Sequence, residues 1–332
     1  RKIGKDYIFK KIKEMKKLNV LLLGETIFDN YVFGDIIGKS GKEPHLVFNK
    51  KYEEFYCGGA FAVARHISSF VNKITFLSSY GQENYLNKYF KSQKPKNCKF
   101  INIKYDKKFN SIVKTRFMDL NSNYKMFGSY ILPKDSSINF KKQLKEKFLK
   151  NKNKNNLTIL CDYGHGFFEN KFIKFFNSSK IFKSLNSQLN SSTLGQHSIS
   201  KFKNSDLVII NENELRYEFK DSESKIELIG KKILIKNKIK MLIITRGKNG
   251  SILLTKNKNY YCPAFAIKSI DKVGAGDTIL SIASLAAKIK LHPLAILLIS
   301  SICASHSIQT LGNKNATNLD NLIRDLDYLL QF

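Results

Sequence analysis

Four short apolar runs punctuate the chain: Val20 to Leu23, Leu157 to Leu160, Leu207 to Ile210 and Leu242 to Thr245. Polar or glycine-containing turns bound each run, as expected for strands buried on both faces. Other stretches carry apolar positions at helical spacing, over Ala60 to Phe70, Phe140 to Leu149, Ala275 to Ile289 and Pro293 to Ser307. Strands alternating with helices predict an α/β fold built on a doubly wound parallel sheet. Two segments, 31–56 and 111–132, break the alternation and read as extended, partly alternating strands. Added to a Rossmann-like core, they would form a small β lid over a ligand cleft. The stretch 177–200, rich in Asn, Ser and Gln, reads as a loop or short-element region. Residues 1–17 are expected to form a helical extension, and 18–332 one α/β domain.

Composition changes this picture little. Of 332 residues 42% are hydrophobic, enough for a large core. Lysine and arginine number 57 against 27 acids, a formal charge of +30. Such charge raises the rival reading of a nucleic-acid-binding protein. The basic residues are scattered, however, with only small runs such as Lys150 to Lys154. There is no zinc-finger spacing, no aromatic RNA-binding motif and no basic region followed by heptads. A solvated basic surface without a specific nucleic-acid partner is therefore expected. Five cysteines, none in a CxxC, argue against a disulfide framework or a zinc site and fit a reducing cytoplasm. The basic N-terminus lacks the apolar core of a signal peptide, and Leu294 to Cys303 is too short to span a bilayer, so no membrane partner is expected.

The strongest local chemistry is Asp271-Lys-Val-Gly274-Ala275-Gly276-Asp277, which opens directly into an apolar helix. Glycines at a helix entry let backbone N–H groups converge on an anion, and the helix dipole favours negative charge there. Asp277 would sit in the first turn, held ionised. A docked hydroxyl would then meet a proton acceptor beside an anion hole. Phosphoryl transfer asks little base strength, so a carboxylate of ordinary pKa would serve.

D-x-x-G-A-G-D before a late helix resembles the signature of the ribokinase-like (PfkB) carbohydrate kinases, and further pieces follow in that family's order. Asn211-Glu212-Asn213-Glu214, which by itself reads as a strand-to-helix cap with an acidic first turn, is similar to its N-x-x-E motif, which implies ATP phosphates and Mg2+ nearby, with Glu214 reaching the metal through water. Thr245-Arg-Gly247-Lys-Asn-Gly250 resembles its turn near the nucleotide. Gly24-Glu-Thr-Ile-Phe-Asp29 and Gly58-Gly59 resemble its sugar-binding motifs, although Ala62 stands where the family has an asparagine that contacts the sugar. Within the family the chain is most similar to the heptose-phosphate kinases, through the turn after Asp29, the strand around Lys114 and Arg116, and Asp162-Tyr-Gly-His165-Gly166. Lys114 and Arg116 lie two apart, hence on one strand face, where they would grip a substrate phosphate or simply face solvent. Asp162 would bind substrate or serve as a turn residue.

The resemblance spans residues 18–332 and implies a three-layer α/β/α fold. It further implies a cytoplasmic enzyme phosphorylating a sugar or sugar-phosphate hydroxyl with ATP and Mg2+, a monovalent cation being an option in the family. Asp277 would be the base and Gly274, Ala275 and Gly276 the anion hole. The lid strands resemble ones that pair two subunits into a homodimer. The other reading is a homologue that keeps the fold and binds a ligand without catalysis.

Overall fold

The computed structural model describes residues 4–105, 109–132, 138–189, 198–266, 270–271 and 273–331. A nine-stranded sheet forms the centre. Its parallel part comprises β1 (Asn19–Gly24), β4 (Lys73–Ser78), β5 (Cys98–Asn102), β8 (Leu157–Asp162), β9 (Lys183–Ser187), β10 (Leu207–Asn211) and β11 (Met241–Thr245). The antiparallel pair β12 (Ser251–Leu254) and β13 (Asn259–Cys262) completes one edge. The spatial order is β13-β12-β11-β10-β9-β8-β1-β4-β5.

Successive strand residues point to opposite faces, and both faces are buried. Val20, Leu22, Ile209 and Ile243 join one core cluster with α2 (Ala60–Ser68), α8 (Ala275–Lys288) and α9 (Pro293–Ser307). Leu21, Leu23, Val208 and Ile244 join another with α4 (Ile138–Lys152), α5 (Asn170–Ser178) and α7 (Ile226–Lys236). Helices thus cover the sheet on both sides, giving three α/β/α layers. Helix α1 (Lys5–Met15) buries Ile8, Ile12 and Met15, at i, i+4 and i+7, and packs against α8 and α10 (Leu319–Leu329).

A second sheet of four strands, ordered β3-β2-β6-β7, stands apart from the first. It contains β2 (Thr26–Lys39), β3 (Leu46–Gly59), β6 (Ile112–Asp119) and β7 (Lys125–Ile131). These strands take up the two segments that broke the sequence alternation, starting five residues earlier, at Thr26. Part of the stretch read as a loop is instead a core strand: β9 sits between β8 and β10. Its sequence, KSLNS, hides this because its buried positions are polar except for Leu185. Lys183 is 2% exposed and satisfies its ammonium on the Phe176 and Asn177 carbonyls. The rest of that stretch, 190–197, lies outside the described residues.

The chain runs from β1 outward to β4 and β5, then returns to β8 on β1's other side. In an open parallel sheet this switch leaves a crevice at the strands' carboxyl ends. Gly24, Asp162, Asn211 and Thr245 are the last residues of their strands.

Candidate active site

Gly274 opens α8 with φ +89, a left-handed conformation. A β-carbon there would also collide with the Asn313 side-chain oxygen. The first N–H groups of a helix have no partner inside it, so Ala275, Gly276 and Asp277 present theirs at this end. A β-carbon on Gly276 would meet nothing within 4 Å, so the N-terminal turn faces open space. Thr278 closes the turn on the Gly274 carbonyl through both its N–H, at 2.9 Å, and its hydroxyl, at 3.0 Å. His66 holds that threonine from below. Thr317 N–H donates to His66 Nδ1 at 3.2 Å, which leaves Nε2 to donate to Thr278 Oγ1 at 3.3 Å. Burial, with Arg65 beside it, lowers the His66 pKa to about 3, so the ring stays neutral.

Asp277 is half-buried in this first turn. Its Oδ1 accepts a 2.7 Å hydrogen bond from the Tyr163 hydroxyl. Burial pushes its pKa up to about 7; the Tyr163 bond and Lys114 pull it down, while Asp29 and Glu214 push it further up. This corrects the expectation of an ordinary carboxylate held ionised. The desolvation of the cleft floor outweighs what surrounds it.

One residue given no role from the sequence, Glu25, places Tyr163. Glu25, 2% exposed at the end of β1, accepts from Tyr163 N–H through Oε2 and from His165 N–H through Oε1, each at 3.2 Å. Its backbone carbonyl accepts from Ala60 N–H at 2.9 Å. Burial and then the neighbouring Asp162 raise its pKa to about 7. Glu25 therefore ties β1, the 163–165 turn and the start of α2 together at the switch point. Tyr163 lay inside a motif noted in the sequence; only its partner, 114 positions away, was invisible. Asp162 itself is 2% exposed and ion-paired with Lys201 at 2.6 Å.

Asp29, on β2, faces the same space from the small sheet. Arg116 donates to its Oδ1 at 2.6 Å and stacks over the Tyr31 ring, 5.3 Å from its centroid. Burial opposes the guanidinium's charge, but Asp29 outweighs it and holds the Arg116 pKa above its ordinary value. Lys114 pairs directly with Asp29 in the strand register and is 8% exposed. Burial lowers its pKa, with Asp29, Glu25 and Asp277 acting in the opposite direction. Its ammonium therefore lies within electrostatic reach of both Asp29 and Asp277. Gly58 is obligatory at close range: a β-carbon there would strike Asp29 Oδ2. Gly59 caps α2 with φ 62.

The remaining predicted residues lie at the carboxyl ends of β10 and β11 and in the turn after β11. Asn211 caps α6 (Glu212–Phe219): its side chain accepts from Asn213 N–H, while Glu214 Oε2 accepts from Asn211 N–H at 3.0 Å. Glu214 Oε1 accepts from Leu189 N–H at 3.2 Å, and burial raises the carboxyl's pKa. Asn211 Nδ2 reaches Thr245 Oγ1 at 3.5 Å. Glu212 binds Arg216 and Arg246, both at 2.8 Å, steadying the turn where Gly247 and Gly250 bracket a single 3-10 turn.

Asp271 joins the two sheets. It is 3% exposed and accepts from the Tyr31 hydroxyl at 2.9 Å, Lys125 Nζ at 2.5 Å, Val273 N–H at 3.0 Å and Gly312 N–H at 3.1 Å. Burial alone would raise its pKa; Lys125 and the two N–H donors lower it instead. Lys125 and Tyr31 belong to the small sheet, so this carboxylate moors that sheet to the loop entering α8. Among the described residues no three His, Cys, Asp or Glu gather as a metal cluster, and no helix is long and apolar enough to cross a membrane. All five cysteines are buried free thiols.

Comparison with known proteins agrees with this architecture. The chain is 25% identical over 277 residues to the bifunctional protein HldE of Haemophilus influenzae (strain PittEE), covering 81% of this chain and 55% of that protein. It thus spans about half the length of the curated relatives it matches. Escherichia coli phosphofructokinase-2, solved with potassium, superimposes with a TM-score of 0.74 at 15% identity, over 96% of this chain and 100% of that one. Arabidopsis thaliana ribokinase, solved with ribose and ATP, gives 0.70 at 14% identity, over 95% and 99%. The model of the pfkB family of carbohydrate kinases matches residues 17–318, and the chain belongs to that family.

Proposed function

We propose that this carbohydrate kinase transfers the γ-phosphoryl group of ATP to a hydroxyl of a sugar phosphate, Asp277 taking the proton. The observation that carries the reading is Asp277 itself. It is a half-buried carboxylate with a pKa near 7, at an open helix N-terminus, biased by Asp29, Lys114 and Glu214.

A group of that pKa is poised to accept a proton near neutral pH. As the acceptor oxygen bonds to phosphorus and the bond to the ADP oxygen breaks, its proton passes to Asp277 Oδ2, Oδ1 being held by Tyr163. The N–H groups of Ala275, Gly276 and Asp277 stabilise the charge on the moving group, already oriented before reaction. Asp29 accepts from acceptor hydroxyls, its position fixed by Arg116. Lys114 supplies a cation between the acceptor and Asp277, where a substrate phosphate or the transferring group would be met. The small sheet acts as the lid.

The residues at the end of β10 suit Mg2+, which keeps several waters and needs few protein ligands. Both Glu214 oxygens already accept N–H bonds, so its remaining lone pairs would hold metal-bound water. When bound, the ion would neutralise charge on the donor phosphates. Asn211, Thr245 and the turn Gly247 to Gly250 would flank the nucleotide.

A heptose phosphate is the acceptor class we favour. It rests on the sequence likeness to the heptose-phosphate kinases, and on the buried cation Lys114, beside the partly exposed Arg116 that pairs with Asp29, to meet an anionic substrate. Detection of phosphorylated product across pentoses, hexoses, hexose phosphates and heptose phosphates tests it. Turnover is expected on a sugar phosphate. ATP left unconsumed with every acceptor would overturn the reading.

A further inference from the structure

Asn313 lies just beyond the Gly312 turn, whose N–H is bound by Asp271. Arg65 of α2 fixes its backbone, donating to the Asn313 carbonyl at 2.6 Å and to the Lys314 carbonyl at 2.8 Å. The carboxamide is wedged between two glycine α-carbons. A β-carbon on Gly58 would come within 3.1 Å of Asn313 Nδ2, and one on Gly274 would collide with Oδ1. The same point beside Gly58 is flanked by Asp29 Oδ2. A neutral donor and an anionic acceptor therefore stand side by side, next to the anion loop.

Asn313 is only 5% exposed, and its carboxamide has no hydrogen-bond partner among the described residues. Its polar atoms are nonetheless not sealed from solvent. An amide held in place without a protein partner, yet reaching solvent, is free to bind water or a ligand. The neighbouring first turn of α2, Ala60, Phe61 and Ala62, carries no hydrogen-bonding side chain. Polar recognition on that side of the cleft therefore falls to Asp29 and Asn313.

We propose that Asn313 is an acceptor-contacting residue. Its Nδ2 donates to a sugar oxygen whose own proton, or whose neighbour's, goes to Asp29. Lodged against Gly274, the amide also sets how far the acceptor stands from the anion loop. This assignment rests on the transferase reading above and adds to it a group that discriminates among polyhydroxylated acceptors.

Asn313→Ala and the isosteric Asn313→Asp, assayed on the best acceptor of the wild-type enzyme, test the assignment. Each should raise the acceptor KM roughly tenfold, the scale of one lost hydrogen bond in a closed site, with the KM for ATP unchanged. Calorimetric titration of the acceptor into nucleotide-free protein should show the same loss. If the alanine variant does not fold, the aspartate variant decides. An unchanged acceptor KM and affinity beside an active wild type would overturn the role of Asn313 and leave the transferase reading standing. A wild type that phosphorylates no acceptor would overturn both.

Discussion

The Tyr163 hydroxyl donates to Asp277 Oδ1 at 2.7 Å, joining the turn after β8 to the first turn of α8 across 114 residues of sequence. The bond steadies the ionised form of a carboxylate that burial has pushed to about 7. The site therefore balances two opposed effects on one proton, and the balance can be shifted from either side.

Removing the hydroxyl shifts it upward. In Tyr163→Phe the hydrogen bond that lowers the Asp277 pKa is gone, so that pKa rises. Turnover should increase with pH through about 7 in the wild type, as the base loses its proton, and through a higher midpoint in the variant. Activity below neutral pH should fall several-fold and largely recover in alkali. Rate–pH profiles of the two proteins check this; coincident profiles would disconnect Tyr163 from the reacting proton.

The same shift bears on stability. The folded pKa of Asp277, about 7, lies above its ordinary 3.8. Folding thus retains a proton that the unfolded chain releases, and stability falls as pH rises between those values. Asp277→Asn escapes this penalty. Near pH 4 the two proteins should melt alike. Above pH 7 the variant should be more stable by about 1–2 kcal/mol, a figure reduced because the carboxylate keeps some solvent contact. Thermal melts at pH 4, 6 and 8 measure the divergence.

Much of this layout is readable in the chain. The four apolar runs are central strands because parallel strands buried on both faces must be continuously apolar. Asp271 to Asp277 announces itself because a left-handed residue at a helix entry demands glycine at 274. What escapes is whatever depends on distance across the fold. Nothing local marks Glu25 as the acceptor of two N–H groups from the 163–165 turn, or Asn313 as the neighbour of Gly58 and Gly274. Strand β9 escapes because Lys183 finds carbonyl partners only in three dimensions. The pKa of Asp277 escapes for a similar reason: the helix entry suggests an ionised acid, and only the packed cleft reveals the desolvation that wins.

Asp271 gathers a tyrosine hydroxyl, an ammonium and two N–H groups on one buried carboxylate. Asp271→Ala would strand those donors and free the small sheet from the α8 entry. A loss of about 3 kcal/mol is expected, the cost of breaking a buried, charge-assisted network. Lys125→Met leaves the other three donors in place and should cost about 1 kcal/mol, while raising the acceptor KM if the small sheet covers the acceptor as proposed. Chemical denaturation of both variants beside the wild type separates the two contributions; equal stabilities would discount the mooring.

The small sheet exposes Ile37, Leu46, Tyr52, Phe127 and Ile131. Phe127 and Ile131 share one face of β7; large apolar side chains exposed in this way are often covered by a partner, and a second copy of the sheet offers the complementary strands. We expect a homodimer in sedimentation velocity, and Ile37→Asp with Phe127→Asp should convert it to monomer. A wild type that sediments as a monomer at micromolar concentration would rule out pairing through this face.

The proposed reaction turns on where the acceptor's proton goes. The direct measurement is single-turnover phosphoryl transfer by Asp277→Asn, with ATP binding followed in parallel by calorimetry. The predicted result is a rate lower by on the order of 10²-fold or more, no residual rise in rate through pH 7, and ATP affinity close to that of the wild type. Transfer at the wild-type rate, with the same pH profile, would show that another group takes the proton.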